Sequence, residues 1–197
     1  MTLSSSSFRD HFHACAFVNG LEDEESIIDP FLLDGIRHGE KAVYIVDPAA
    51  RKLHENRLSS RTSDRELLEV KTWNEAHLQG GSFDRDRMIG TLDVMLQEHA
   101  QERRPPMRLV GQMGWVFSSP PGIEQLIDYE ATVNEVLNRH RTPTVCVYDV
   151  RRLSGSMMMD LLRTHPIAVM NGVLQENPFY TPPDVMLQDL QQRRSAT

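Results

Sequence analysis

Apolar residues along the chain fall into short unbroken runs separated by stretches with helical spacing, the pattern of buried parallel strands alternating with covering helices. Residues 13–19 (HACAFVN) form the first run, which ends at Gly20, and residues 41–47 (KAVYIVD) form the second, which ends at Asp47-Pro48. Between them Ile28, Phe31, Leu32 and Ile36 recur at helical spacing. Ser26 or Asp29 is placed to cap that helix, Pro30 suits its first turn, and Gly39 ends it. The pattern then predicts helices over residues 49–60, 84–104, 123–140, 156–164 and 184–194. Further strands are predicted over residues 68–73, 107–117, 144–150 and 167–173. The expected fold class is α/β, a mainly parallel sheet with helices on both faces.

A length of 197 residues with 40% hydrophobic and 25% charged positions is enough for one full core and ordinary for a globular chain. One domain over residues 10–190 is expected, between a disordered segment at 1–9 and a tail at 191–197. The net charge of −7 and the absence of any long basic run argue against nucleic acid as a partner. No run approaches a membrane span, and the first residues lack the apolar stretch of a signal peptide, so a cytoplasmic protein without a membrane partner is expected. Two cysteines in such a chain point to reduced thiols rather than a disulfide framework.

The first strand-to-helix turn is where a parallel α/β sheet usually holds a ligand. Here it reads Asn19-Gly20-Leu21-Glu22-Asp23-Glu24-Glu25-Ser26. A phosphate loop needs several glycines, a lysine and a hydroxyl, whereas this turn has one glycine and four successive carboxylates that would repel a triphosphate. Binding of a nucleotide is not expected.

Several residues break the apolar pattern. Gln112, between Gly111 and Gly114, sits in a run that reads as a central strand, where an amide must find partners and glycines permit close approach to the backbone. In the helix at 123–140, Glu130 falls inside the face made by Ile123, Leu126, Ile127, Val133 and Leu137, with Asn134 on its flank. A carboxylate there must be paired, or its pKa rises; it is either a structural pin or part of a ligand site. His11, His13 and Cys15 alternate along the first strand, and with Cys146 from a neighbouring strand His13 and Cys15 offer a metal or thiol-redox site. The plainer reading is a hydrogen-bonded core histidine and two buried thiols. No nucleophile elbow, catalytic triad or paired-carboxylate motif is found, so no enzymatic activity and no cofactor are expected.

Taken in order, His13-Ala14-Cys15-Ala16-Phe17, Pro30-Phe31-Leu32-Leu33-Asp34-Gly35 with Gly39-Glu40-Lys41, Gly80-Gly81-Ser82-Phe83-Asp84 and Gly111-Gln112-Met113-Gly114-Trp115 resemble the MEDS sensory domain. So do Tyr129-Glu130-Ala131 with Asn134, Cys146-Val147-Tyr148-Asp149, His165-Pro166 and Asn177-Pro178-Phe179-Tyr180. The resemblance covers residues 10 to 190. It implies a RecA/KaiC-like sheet with a decayed phosphate loop, and a sensory role with small organic compounds, such as hydrocarbon derivatives, as ligands. Members are commonly joined to a kinase, an anti-sigma-type ATPase or a DNA-binding domain. None of these is recognised within these residues, so signalling in trans to a separate regulatory protein is expected. The resemblance makes His13, Cys15, Trp115, Tyr129, Glu130 and Asn134 ligand-site residues. Gln112 joins them from its place in the strand, although the family usually has glutamate there. Trp115 and Phe117 are expected as apolar walls, and Gln112, Glu130 and Asn134 as polar groups. A scaffold without a ligand, or a homodimer through the final helix, is the alternative of another class.

Overall fold

The computed structural model describes Phe8, residues 11–102 and residues 104–195. Its seven-stranded sheet has the order β3-β2-β4-β5-β1-β6-β7. The strands are β1 (His13–Val18), β2 (Lys41–Val46), β3 (Leu68–Thr72), β4 (Met107–Gln112), β5 (Thr144–Asp149), β6 (Ile167–Met170) and β7 (Val173–Glu176). All neighbours are parallel except β6 and β7. The helices are α1 (Leu21–Arg37), α2 (Arg51–Ser59), α3 (Arg85–Gln101), α4 (Leu126–His140), α5 (Gly155–Thr164) and α6 (Pro183–Ser195).

Alternation along the strands divides the sheet into two chemically different faces. Arg108 and Gln112 on β4 and Tyr44 on β2 face α1 and α2, where their partners are Phe31, Asp34 and Glu24. His13 on β1 and Cys146 and Tyr148 on β5 face α4, where they meet Glu130. The expected α/β architecture with helices on both faces is therefore observed.

Four details differ from the sequence pattern. Helix α1 starts at Leu21, so Glu22, Asp23 and Glu24 form its first turn and Pro30 lies inside it. Carboxylates are favoured at that end by the helix dipole. The carbonyl that Pro30 deprives of a donor belongs to Ser26, an exposed residue that water reaches. Strand β4 stops at Gln112, and Gly114–Ser118 is a 3₁₀ segment instead. Its residues are as apolar as a strand because Trp115 and Val116 turn into the core, so periodicity could not separate the two. Residues 167–176 form a hairpin: Asn171 and Gly172 have φ of 50° and 70°, the left-handed pair of a tight two-residue turn.

The ends of the chain also differ from expectation. Phe8, within the segment read as disordered, is buried 5.9 Å from the ring of Phe31; residues 1–7, 9 and 10 lie outside the described residues. Helix α6 runs through Ser195, into the stretch read as a tail. Its buried residues Met186 and Leu190 pack with Ala131 of α4, so this apolar face is already covered within the chain.

Candidate functional site

The carboxyl ends of β1, β2, β4 and β5 meet the starts of α1 and α2 at one edge of the sheet, and a cleft of about 270 Å³ opens there. Leu21, Leu53 and Trp73 give it apolar walls, Glu24, His54 and Gln112 line its inner side, and Asp47, Asp149, Arg151 and Arg152 add charged groups to the lining. Leu21 and Leu53 are 45% and 54% exposed, an arrangement that costs hydration free energy unless something covers them.

The polar lining is a connected network. Tyr44 donates its hydroxyl to Glu24, and Gln112 Nε2 donates to Glu24 Oε1 at 2.6 Å. Gln112 Nε2 also lies 3.3 Å from His54 Nε2, and Gln112 Oε1 accepts the backbone N–H of Asp47 at 3.0 Å. Burial pushes the Glu24 carboxyl above its ordinary range, against the hydrogen bonds from Tyr44 and Gln112 that lower it. Burial, and then the charge of Arg57, bring the His54 imidazole down to about 4.

The acidic turn is thus used differently from the sequence reading, in which its charge faces a would-be phosphate. Asp23 accepts the Asn19 N–H at 2.8 Å, Glu24 turns inward, and Glu25 pairs with Arg57. Arg57 and Arg61 also hold the buried Asp29 at 2.8 and 2.7 Å, joining α2 to α1.

A second group of polar residues lies under the opposite face, fully inside the protein. Glu130 Oε2 is 3.3 Å from His13 Nε2 and 3.4 Å from His165 Nε2, and Tyr148 donates to Glu130 Oε1 at 2.5 Å. Cys146 Sγ is 3.4 Å from His13 Nε2 and 3.8 Å from Glu130 Oε2. Asn134 Oδ1 is 3.2 Å from His13 Nδ1. Burial, with His165 alongside, brings His13 down to about 4. For Glu130 burial favours the protonated carboxyl, but the contacts from His13 and His165 outweigh it and hold the group below the usual range. Burial raises the thiols of Cys15 and Cys146, leaving them protonated at neutral pH and poor nucleophiles.

Of the sequence-derived site residues, Gln112 lines the cleft. His13, Glu130 and Asn134 meet one another in the buried group, which Cys15 does not join: its Sγ points to the Ile167 carbonyl at 3.7 Å. Trp115 and Tyr129 belong to an aromatic stack rather than a ligand wall. Trp115 lies between His77 and Phe83, with centroids at 5.2 and 4.9 Å, and Tyr129 meets Phe83 edge-on. Phe117 lies beneath the Arg152 guanidinium, 4.2 Å from its ring centroid.

His54 and Trp73 are additional to the sequence reading, and His165 and Tyr148, which stand there only within the family motifs, gain a place in the site. Tyr148 was signalled by its position two residues after Cys146, which puts both on one strand face. His165 precedes Pro166, which favours an extended backbone there, and its φ of −114° and ψ of 119° direct the ring inward.

His77 carries a pH prediction. Burial brings its pKa from 6.5 to about 4, so it is neutral in the fold where the unfolded chain is protonated. Its contribution to stability is complete above pH 6.5 and is lost as pH falls toward 4, by about 3 kcal/mol at most. Urea titrations at pH 7.5 and pH 5 are expected to show a smaller loss of stability in His77→Phe than in the wild type. An equal loss would place the acid sensitivity elsewhere.

A mostly parallel seven-stranded sheet covered by helices, with a small mixed cleft beyond its strand ends, defines a domain of the α/β class. Residues 12–166 match the profile of MEDS, the MEthanogen/methylotroph, DcmR Sensory domain. The chain belongs to that family. It is also 32% identical over 80 residues to the transcriptional repressor DcmR of Methylorubrum extorquens (strain DSM 6343 / CIP 106787 / DM4). That alignment covers 40% of this chain and 30% of the repressor, so the matched region is under a third of the relative's length. Among solved structures it is similar to EssC (ATPases 2 and 3) from Geobacillus thermodenitrificans, with a TM-score of 0.47 and 9% identity over 82% of this chain and 32% of that one. Family membership makes the chain a sensory domain by the family's description. No helix among the described residues is long and apolar enough to cross a membrane.

Proposed function

We propose that this chain is a non-catalytic sensory domain that binds a small organic molecule in the edge cleft and signals in trans to a separate regulatory protein. The observation that carries the reading is the cleft itself: exposed leucines at its walls, a hydrogen-bonding network along its lining, and a position beyond the carboxyl ends of parallel strands. At about 270 Å³ it falls below the range of roughly 300–1,000 Å³ usual for drug-sized ligands, which favours a compound of a few carbons. Leu21, Leu53 and Trp73 would hold the apolar body, and Gln112 and His54 would orient a polar substituent. A hydrocarbon derivative of the kind implied by the family resemblance suits this mixture.

The RecA/KaiC-like ancestry with a degenerate phosphate loop belongs to the same proposal. It is supported by the β1-α1-β2 unit, whose turn keeps a single glycine and directs Glu24 inward. Nucleotide chemistry is disfavoured there because the turn lacks the lysine and the further glycines of a phosphate loop.

The test is amide and side-chain NMR on isotope-labelled protein titrated with a panel of short-chain haloalkanes, alcohols and ketones. For at least one compound, saturable shifts are expected on the Trp73 indole, the Gln112 carboxamide and the His54 ring. Saturable shifts centred away from the cleft, or none with any compound in the panel, would contradict the assignment.

A further inference from the structure

We propose that His13, Glu130, Cys146 and His165 form a tetrahedral site for a first-row transition-metal ion of zinc-like chemistry, closed off inside the protein between β1, α4, β5 and the turn from α5 to β6. The proposal is independent of the cleft. Tetrahedral ligands at bond lengths of about 2.0–2.3 Å stand about 3.3–3.8 Å apart. The separations here are 3.3 Å from His13 Nε2 to Glu130 Oε2, 3.4 Å from His165 Nε2 to the same oxygen, 3.4 Å from His13 Nε2 to Cys146 Sγ, and 3.8 Å from Cys146 Sγ to Glu130 Oε2. All four ligand atoms lie within 4.8 Å of one another.

The surrounding residues orient three of these ligands through their other polar atom, as the outer shell of a metal site does. Asn134 Nδ2 donates to the carbonyls of Glu130, Ala131 and Thr164. That fixes Asn134 Oδ1 as the acceptor facing His13 Nδ1, so the His13 proton sits on Nδ1 and the Nε2 lone pair points into the cluster. His165 Nδ1 donates to the Leu161 carbonyl at 2.8 Å, while its buried Nε2 faces Glu130 Oε2 at 3.4 Å without the geometry of a hydrogen bond. Tyr148 occupies Glu130 Oε1 and leaves Oε2 for the metal.

Charge supports the same site. Among the described residues no lysine or arginine pairs with Glu130; its partners are His13, His165, Cys146 and Tyr148. A dication with one carboxylate, one thiolate and two neutral imidazoles makes a net-neutral centre, which a dry interior tolerates far better than a lone carboxylate. Binding forms the metal–sulfur bond and releases the Cys146 thiol proton to solvent. The thiolate and imidazoles select a zinc-like ion over magnesium or calcium, and four protein ligands leave no open position for a catalytic water.

The test uses the untagged 197-residue chain, refolded in the presence of Zn²⁺ or Co²⁺ because the site is enclosed. One equivalent of metal per chain is expected after dialysis. The Co²⁺ form should show intense tetrahedral ligand-field bands and a sulfur-to-cobalt charge-transfer band. Cys146→Ser should abolish the charge-transfer band and Cys15→Ser should keep it. His165→Gln should lower metal retention at least tenfold. Metal-free wild-type protein after refolding with either ion, or a charge-transfer band lost with Cys15 rather than Cys146, would overturn the proposal, and the wild-type stoichiometry decides even where a variant fails to fold.

Discussion

Replacing Arg108 with methionine is expected to lower the stability of the fold by about 3–5 kcal/mol, a fall in Tm of about 10 °C for a chain of this size. Arg108 is fully buried on the face of β4 toward α1. Its Nε and Nη2 donate to Glu40 Oε2 at 2.7 and 2.5 Å, its Nη1 donates to the Phe31 carbonyl and lies 3.6 Å from Asp34, and its guanidinium stacks 4.6 Å from the Phe31 ring. Removing the cation leaves Glu40 without this charge partner and the Phe31 carbonyl without this donor, which accounts for most of the cost. The double variant Arg108→Met/Glu40→Leu is expected to recover part of the loss, because an apolar pair suits the interior better than half an ion pair. Gly35→Ala should be damaging for a separate reason: a Cβ there would stand 2.1 Å from Arg108 Nε. Denaturant unfolding of the four proteins checks this. A single variant within 1 kcal/mol of wild type would deny the clamp its role.

Glu130→Leu is expected to cost a similar 3–5 kcal/mol, since it strips partners from the Tyr148 hydroxyl and from two buried imidazoles at once. Glu130→Gln keeps the shape and an acceptor for Tyr148, and is expected to lose less than half as much. Thermal unfolding at pH 7.5 separates the two. Equal losses from both variants would mean that charge rather than hydrogen bonding dominates at this position.

Much of the architecture was legible because buried parallel strands leave a strong mark: β1, β2 and β5 were bounded to within one residue by their apolar runs. The start of α1 was not, since its first turn is polar and capping residues further on offered a competing start. The break after Gln112 was hidden because a buried 3₁₀ turn and a strand draw on the same apolar residues. The Asn171-Gly172 turn was visible in principle and was masked by the β-branched and apolar residues on both sides. The Asp34, Gly35 and Glu40 positions of the family motif carried no stated role in sequence, and Phe31 only that of an apolar helix position; the structure gathers all four around Arg108.

The candidate site was legible in part, and for a physical reason. Glu130 stood out because a carboxylate on an apolar helix face must be paired; strand alternation singled out His13, together with Cys15, which lies outside the group, and Cys146 entered as a residue of a neighbouring strand. Their convergence with His165 depends on β1 lying between β5 and β6, an order that local periodicity does not encode. The cleft was less visible still, because Leu21, His54 and Trp73 come from three separate elements, each with an unremarkable local pattern.

The cleft as the sensing site is tested most directly by isothermal titration of the strongest-binding compound from the short-chain panel into wild-type, Leu53→Ser and Val94→Ser protein. Leu53 and Val94 are each 54% exposed, so neither change should disturb the fold, but Leu53 lines the cleft while Val94 lies on α3. Losing the Leu53 contact, worth about 1–1.5 kcal/mol, is expected to weaken binding about tenfold, with Val94→Ser indistinguishable from wild type. Equal affinity in all three proteins would contradict the assignment and move the ligand away from this edge of the sheet.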